Sequence, residues 1–385
     1  MSAAIMSATD ELLRQAPYAT HPGEHRELLL RSVREAIQHH VAHCAPFARW
    51  YKKQGADPDA EIRDLAHVPF LPVSIFKRLS LESVGQEDVV RVLRSSATSS
   101  QTPSRVVLDR VTRDRQMRAL ALQLSALMGS TRRPFVVLDA AAAPGADVEL
   151  SARVAGLRGY LMMASETHYA LESKAGRIDL DADAFDAMLA RFRSQSTPVC
   201  LIGYTYMLYQ YVVAPLARAG KRLSLPPGSM VLHFGGWKRL ERQAVNRVRL
   251  NEEVSQVFGV EESSIRDVYG FTEQLGVIYS DNGRGVRLAP VYSDVIVRDP
   301  VTLAPVPEGE PGLLEFITPL PHSYPGIALL VDDIGRIVSR DQAEDGRYGT
   351  RFEVLGRAKG AEIRGCGDTL PEQIYQVQAG ANASV

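Results

Sequence analysis

Long apolar runs are missing from this sequence. No stretch approaches the roughly 18 uninterrupted apolar residues that a membrane-spanning helix needs, and the longest candidate, Pro134 to Pro144, is short and strand-like. No membrane span is expected. Cysteine is scarce: Cys44, Cys200 and Cys366 show no CxxC or Cys/His spacing, which argues against structural zinc and a disulfide scaffold. Such sparse thiols suit a reducing compartment, so the expected location is cytoplasmic. Excess charge is also missing. The 44 Lys plus Arg against 45 Asp plus Glu leave a formal charge of -1, so no global basic field favours nucleic acid or an anionic membrane. Met1 to Glu11 offers neither the basic segment nor the apolar stretch of a secretory signal. What remains is a chain of 385 residues, 45% hydrophobic and 23% charged, able to bury a sizeable core in about two to three structural units.

From His25 to Ala42 the apolar positions Leu28, Leu29, Val33, Ile37 and Val41 recur at three- and four-residue steps, predicting an amphipathic helix entered after Pro22. Met117 to Met128 and Val245 to Phe258 read the same way. Between them lie short runs rich in Val, Ile and Leu, at 106–108, 135–138, 199–202, 230–234 and 265–269, which read as buried strands. Strands alternating with helices predict an α/β core with ligand sites at strand carboxyl ends. Beyond Leu288 the texture changes. Tyr292 to Arg298 alternates, Pro305 to Gly312 is a turn cluster, and two further apolar runs at 313–317 and 327–331 predict a small β-rich subdomain.

Several segments carry chemistry. Residues 95–104 hold seven hydroxyl side chains, among them Ser95, Ser96, Thr98, Ser99 and Ser100, directly before a strand and Arg105. Hydroxyls and loop amides coordinate phosphate oxygens, with Arg105 adding charge-assisted bonds; the same composition also makes an ordinary solvated turn. Asp267 to Gln274 reads Asp-Val-Tyr-Gly-Phe-Thr-Glu-Gln and sets a hydroxyl and a carboxylate beside an aromatic ring at a strand's end. Hard oxygen ligands of this kind suit Mg²⁺ bound to nucleotide phosphates, while the plainer reading has Thr272 capping a helix. His233-Phe234-Gly235-Gly236-Trp237-Lys238 ends a strand with two glycines, which lets a ligand approach the backbone. Asp332-Asp333-Ile334-Gly335 follows an apolar strand and offers oxygens to ribose hydroxyls, or else forms a hairpin turn. Gly356-Arg357-Ala358-Lys359-Gly360 reads as a hinge with a phosphate or ribose contact, or as a basic surface loop.

The order of these pieces resembles the adenylate-forming superfamily of acyl-CoA synthetases and luciferases. Within it, Pro69 to Lys77, His233 to Lys238 and Arg364-Gly365-Cys366 look most like the LuxE-type acyl-protein synthetases, over about residues 69 to 366. The resemblance implies the large-domain fold of these enzymes: mixed sheets with flanking helices and a small β-rich subdomain, the usual C-terminal domain being truncated or vestigial. It implies an adenylation core over 1–355, helical over about 1–90 and β-rich over about 289–355, followed by a short mobile tail, 356–385. ATP and Mg²⁺ are the implied cofactors. By the family's motifs, Tyr269 and Gly270 flank the adenine and acyl pocket, Thr272 contacts the α-phosphate and Glu273 holds Mg²⁺. Asp333 binds the ribose hydroxyls with Arg357 nearby, and Gly235 and Gly236 line the adenine or acyl site. Cys366 matches the acylated cysteine. Lys238 joins the candidate catalytic residues, although which lysine assists is left open by the sequence. One departure stands out: Thr98 and Gln101 occupy positions where the family's phosphate loop has glycines, so side chains there crowd the backbone's wrap around phosphates.

Cys366 also has a case of its own, since a thiol between Gly365 and Gly367, two residues after Arg364, is near a charge that favours thiolate. Cys44 and Cys200, set in a helical and a strand pattern, are expected to be buried as small apolar residues. Tyr204, Tyr206 and Met207 are candidates for pocket lining or for core packing. The resemblance implies activation of a carboxylic acid, fatty in the related systems, as acyl-adenylate, transfer to Cys366, and delivery to a partner such as an acyl reductase. Two alternatives stay open at this point: transfer to a diffusible thiol or amine with Cys366 a bystander, and a catalytically silent binding partner of a reductase.

Overall fold

The computed structural model describes residues 6–94, 103–141, 156–174, 177–236, 245–342 and 345–358. They fall into two compact units: one drawn from 1–122, 270–277 and 287–385, the other from 123–269 and 278–286. The chain therefore passes from the second to the first immediately after Tyr269.

The second unit is built on a sheet whose strands run in the order Tyr279–Ser280, Ile265–Tyr269, Met230–Phe234, Cys200–Tyr204, Arg133–Ala140, Ala164–Lys174 and Arg177–Asp179. The central five are parallel and the two edge strands antiparallel. Strands buried on both faces read as continuous apolar runs, which is why 135–138, 199–202, 230–234 and 265–269 stand out in the sequence. Helix Ala182–Ser194 starts where the Asp181 carboxylate accepts from the amides of Asp183 and Ala184, and Arg247–Phe258 where Asn246 accepts from Arg249 N–H at 2.9 Å. The first buries Phe185, Leu189 and Phe192, and Phe185 meets Phe258 edge-on in the same core. Burial of each such side chain contributes about 1.5–3 kcal/mol. Cys200 is fully buried, which pushes its thiol up to about 12 and makes it a packing residue.

The first unit contains the helices Ala8–Leu12, Arg26–His43 and Ala45–Lys53. Its antiparallel sheet includes, in order, Arg351–Arg357, Ala328–Ser339, Gly312–Ile317 and Asp294–Arg298. Leu71–Pro72 joins it, parallel to Leu329 and Leu330. Cys44, between two helices, is buried, and burial raises its thiol. Two local expectations are corrected. Asp332 to Gly335 neither follows a strand nor turns a hairpin: the strand runs through it to Ser339. Gly335 permits this, because a Cβ there would sit 2.3 Å from the Glu353 carbonyl oxygen of the neighbouring strand. The run at 106–108 is not a strand of the parallel core. Arg105–Leu108 pairs with Arg91–Arg94 in a separate two-stranded antiparallel ribbon, which its apolar character alone does not distinguish from a core strand.

Inside the antiparallel sheet, Arg298 and Glu315 form an ion pair at 2.5 Å with side chains at most 4% exposed. Arg298 also donates to the carbonyls of Leu303 and Ala66 and lies over the Phe70 ring. Burial pushes the Glu315 carboxyl up to about 7 despite the guanidinium beside it. Breaking such a pair leaves an uncompensated buried charge, whereas replacing both partners does not. Arg298→Met should therefore lower unfolding free energy by about 3–5 kcal/mol in urea titrations, and Arg298→Met/Glu315→Leu should recover most of it. A single variant as stable as the parent would contradict this account.

Candidate active site

Three parallel strands of the second unit end side by side in Tyr204, Phe234 and Tyr269, with Tyr204 opposite Phe234. Carboxyl ends of parallel strands are where such sheets bind ligands. Gly235 follows at φ 71°, in the left-handed region, and a Cβ there would press against the Tyr204 ring at 3.3 Å, so conformation and space both call for glycine. The Tyr160 ring lies parallel to Phe234, centroids 5.4 Å apart, and Tyr204 meets Phe234 at 4.6 Å. The Tyr204 ring of this cluster borders Gly235. Tyr206 and Met207 are buried in the hydrophobic core, whereas Tyr204 packs against its edge.

In the first unit, residues Thr272–Gln274 form a single 3₁₀ turn. Phe271, with extended backbone, holds the cap position and makes no side-chain capping bond, so Thr272 is the first residue of the turn and not its cap. Glu273 is 5% exposed. Burial raises its carboxyl above the usual range, opposed by a hydrogen bond from Ser104 and the charge of Lys77. The turn is fixed on both sides of that carboxyl. The Tyr324 hydroxyl donates to the Glu273 carbonyl at 2.9 Å. The Gln274 amide points at the carbonyls of Phe316, Gly326 and Ile327, at 3.0, 2.8 and 3.2 Å. Phe271 packs on Phe316.

The segment carrying Tyr324 is itself anchored. His322 Nδ1 bonds Asp109 Oδ2 at 2.7 Å; burial alone would raise Asp109, but bonds from His322 and Thr112 outweigh it and hold the carboxyl down at about 2. Thr112 Oγ1 accepts the backbone N–H groups of His322 and Ser323, each at 2.9 Å. Ser323 Oγ donates to Val107 O at 2.7 Å, so the 2.8 Å contact between the two hydroxyls must carry the Thr112 proton.

Asp333 stands opposite Arg357 in the antiparallel register of Ala328–Ser339 and Arg351–Arg357. Arg357 Nη2 lies 3.7 Å from Asp332 Oδ2 in an exposed pair, and Ala358 N–H donates to Asp332 O at 2.8 Å. The Asp-Asp-Ile-Gly and Gly-Arg motifs are thus neighbours in one sheet.

Of the sequence-predicted residues, Gly270, Thr272, Glu273, Asp333 and Arg357 lie in the first unit, and Gly235, Gly236 and Tyr269 in the second. Ser95, Ser96, Thr98, Ser99, Ser100, Lys238 and Cys366 lie outside the described residues, as does the tail beyond 358. The structure brings Ser104 to Glu273 and Asp333 to Arg357. Sequence reasoning did not find Tyr324 or the part played by Gln274. The only signal was the Ser323-Tyr324-Pro325-Gly326 turn, which names no partner. Among the described residues no cluster of three or more His, Cys, Asp or Glu side chains forms a metal cage. Mg²⁺ needs none, since one carboxylate, phosphate oxygens and water complete its octahedron. The Glu273 carboxyl fits that need, because burial makes its bare charge unfavourable and a cation would compensate it. Among the described residues no helix is long and apolar enough to cross a membrane.

Comparison with known proteins adds to this geometry. The family described as acyl-protein synthetase, LuxE, matches residues 2–375. A long-chain-fatty-acid--luciferin-component ligase of Vibrio harveyi is 25% identical over 99% of this chain and 97% of its own. The ligase of the same name from Aliivibrio fischeri is 25% identical over 92% and 90%. In fold the chain is similar to a 2-hydroxyisobutyryl-CoA ligase in an open conformation, with TM-score 0.61, 15% identity, and coverage of 88% of this chain and 76% of that one. It is similar also to that ligase in its thioesterification state, with TM-score 0.60, 16% identity, and coverage of 89% and 70%. The α/β architecture is that of adenylate-forming ligases.

The buried amide of Gln274 gives a direct test of how the turn is held. Gln274→Leu strands carbonyls that it now satisfies, so unfolding in urea should show a loss of about 1–3 kcal/mol, with Tyr324→Phe losing about 1 kcal/mol. Stability unchanged in Gln274→Leu would mean that the turn is fixed by other contacts.

Proposed function

The chain belongs to the LuxE acyl-protein synthetase family, and on that premise we propose that it activates a long-chain fatty acid as acyl-adenylate and carries the acyl group onward as a thioester of Cys366. Family membership makes it a ligase of the adenylate-forming kind. The acid is drawn from the names of its two relatives, which also name a luciferin component as the second substrate. The observation that carries the reading is the Glu273 carboxyl, buried yet held by its own backbone through Tyr324 and Gln274.

In the first step a carboxylate oxygen of the acid attacks the α-phosphorus of ATP. The new bond joins the acyl oxygen to that phosphorus, and the α–β bridging bond breaks to release pyrophosphate. Phosphorus-centred displacement of this type relies on positioning and electrostatics. Thr272 contacts the α-phosphate, the hydroxyls Ser95, Ser96, Thr98, Ser99 and Ser100 with Arg105 receive the outer phosphates, and Lys238 is the candidate lysine near the reacting charge. Gly235, Gly236, Tyr269 and Gly270 border the adenine and acyl group, and Asp333 with Arg357 takes the ribose. Glu273 would hold Mg²⁺, which would supply charge neutralisation on the phosphates. In the second step Cys366 thiolate attacks the acyl carbon, forming C–S and breaking the bond to AMP, while the thiol proton passes to solvent base. The tail over 356–385 follows the core over 1–355, its first residues Gly356 and Arg357 ending the last strand of the sheet, and its remainder, with Cys366, brings the thioester to an acceptor protein such as an acyl reductase. The reaction takes place in the cytoplasm, where the thiol stays reduced.

Incubation with ATP, Mg²⁺ and a labelled long-chain fatty acid should leave label on the protein that hydroxylamine removes. Cys366→Ala should carry none while still exchanging pyrophosphate into ATP in the presence of the acid. Equal labelling of that variant would remove Cys366 from the path.

A further inference from the structure

Next to the two glycines of the second unit lies a pair of buried polar side chains, His233 from the same motif and Thr205 from outside it, to which the motifs give no role. Thr205, 5% exposed, directly follows the Cys200–Tyr204 strand, and His233, 3% exposed, is the penultimate residue of Met230–Phe234. Thr205 Oγ1 stands 2.7 Å from the Gly235 carbonyl oxygen, 2.9 Å from His233 Nδ1 and 3.4 Å from the Phe234 carbonyl oxygen. Asp267, opposite His233 in register, has its Oδ1 3.9 Å from the same Nδ1.

Counting protons settles the direction of these bonds. A threonine hydroxyl has one proton, and a carbonyl oxygen has none. The 2.7 Å contact with Gly235 therefore uses the Thr205 proton. The 2.9 Å contact with His233 then needs a proton on Nδ1, since a hydroxyl oxygen against a bare ring nitrogen would repel. The reverse assignment leaves two unprotonated oxygens at 2.7 Å. His233 Nδ1–H thus donates to Thr205, and Thr205 donates to Gly235.

The consequence falls on the next residue. The Gly235 carbonyl and the Gly236 N–H belong to one planar peptide, and among the described residues no peptide bond is cis, so the two groups point in opposite directions. With the carbonyl drawn inward to Thr205, the Gly236 N–H faces away from it. Gly236 is exposed, and a Cβ built on it meets nothing within 4 Å. We propose that the His233–Thr205–Gly235 relay is a positioning device that sets the Gly236 N–H outward as a fixed hydrogen-bond donor to an acceptor atom of the bound nucleotide. Thr205 and His233 touch no ligand. They act through one peptide plane, which at a glycine pair has no side chain of its own to hold it. The proposal rests on the nucleotide-site reading of Gly235 and Gly236 given above.

Two measurements test it. Nitrogen-15 spectra of the histidine ring in the whole protein at neutral pH should show the proton of neutral His233 on Nδ1, a readout that needs no variant. Calorimetric titration with ATP and Mg²⁺, without acid, should give Thr205→Ser the parent's affinity and weaken Thr205→Val about tenfold, with both variants melting as folded proteins. A Thr205→Val protein that binds ATP as the parent does, or a His233 proton on Nε2 alone, would overturn the relay. Failure of the parent itself to bind ATP, with the Nδ1 proton present, would overturn the nucleotide reading and the ligand assigned to Gly236 while leaving the relay intact.

Discussion

A carboxylate taken out of water must be held still and given a compensating charge, and the first unit is organised around that requirement at Glu273. Its side chain is buried, and burial raises its carboxyl against the pull of Ser104 and Lys77. The backbone on either side is bound by side chains that reach across the unit: Tyr324 to the Glu273 carbonyl, Gln274 to three carbonyls of the facing segments. Tyr324 depends in turn on the Asp109, Thr112, His322 and Ser323 network behind it. The backbone that carries the carboxyl is thus held by side chains from distant parts of the chain, as a site needs when geometry and charge perform the chemistry.

In the second unit the same task is done with glycines and rings. Parallel strands deliver Tyr204, Phe234 and Tyr269 to one edge, and Gly235 is admitted only because it has no side chain to meet Tyr204. Both units therefore present backbone at the places where the family's motifs fall, and fix it partly through side chains outside the motifs, Tyr324 and Thr205.

Much of this was legible in the sequence. The apolar runs at 230–234 and 265–269 became strands with those bounds, and Val245 to Phe258 became Arg247–Phe258, because buried parallel strands and an amphipathic helix print their own periods. Ala164–Lys174 was not legible, since its alternating Glu, His and Tyr hide a strand that has a core neighbour on one side and a short edge strand on the other. Asp332 to Gly335 reads locally as a turn, and only the carbonyl of Glu353 shows why glycine sits there in mid-strand. The partners of Gln274 are 42 to 53 positions away along the chain, and no local pattern carries that information.

The central claim is that Glu273 serves the activation of a carboxylic acid by ATP. Glu273→Gln keeps the size of the side chain and one acceptor oxygen, replaces the other oxygen with an amide donor, and removes the charge. Acid-dependent exchange of labelled pyrophosphate into ATP measures the first half-reaction alone. The account predicts that this variant stays folded and loses exchange by roughly a hundredfold, the scale of a lost electrostatic contact in the transition state. Exchange at the parent's rate would contradict it.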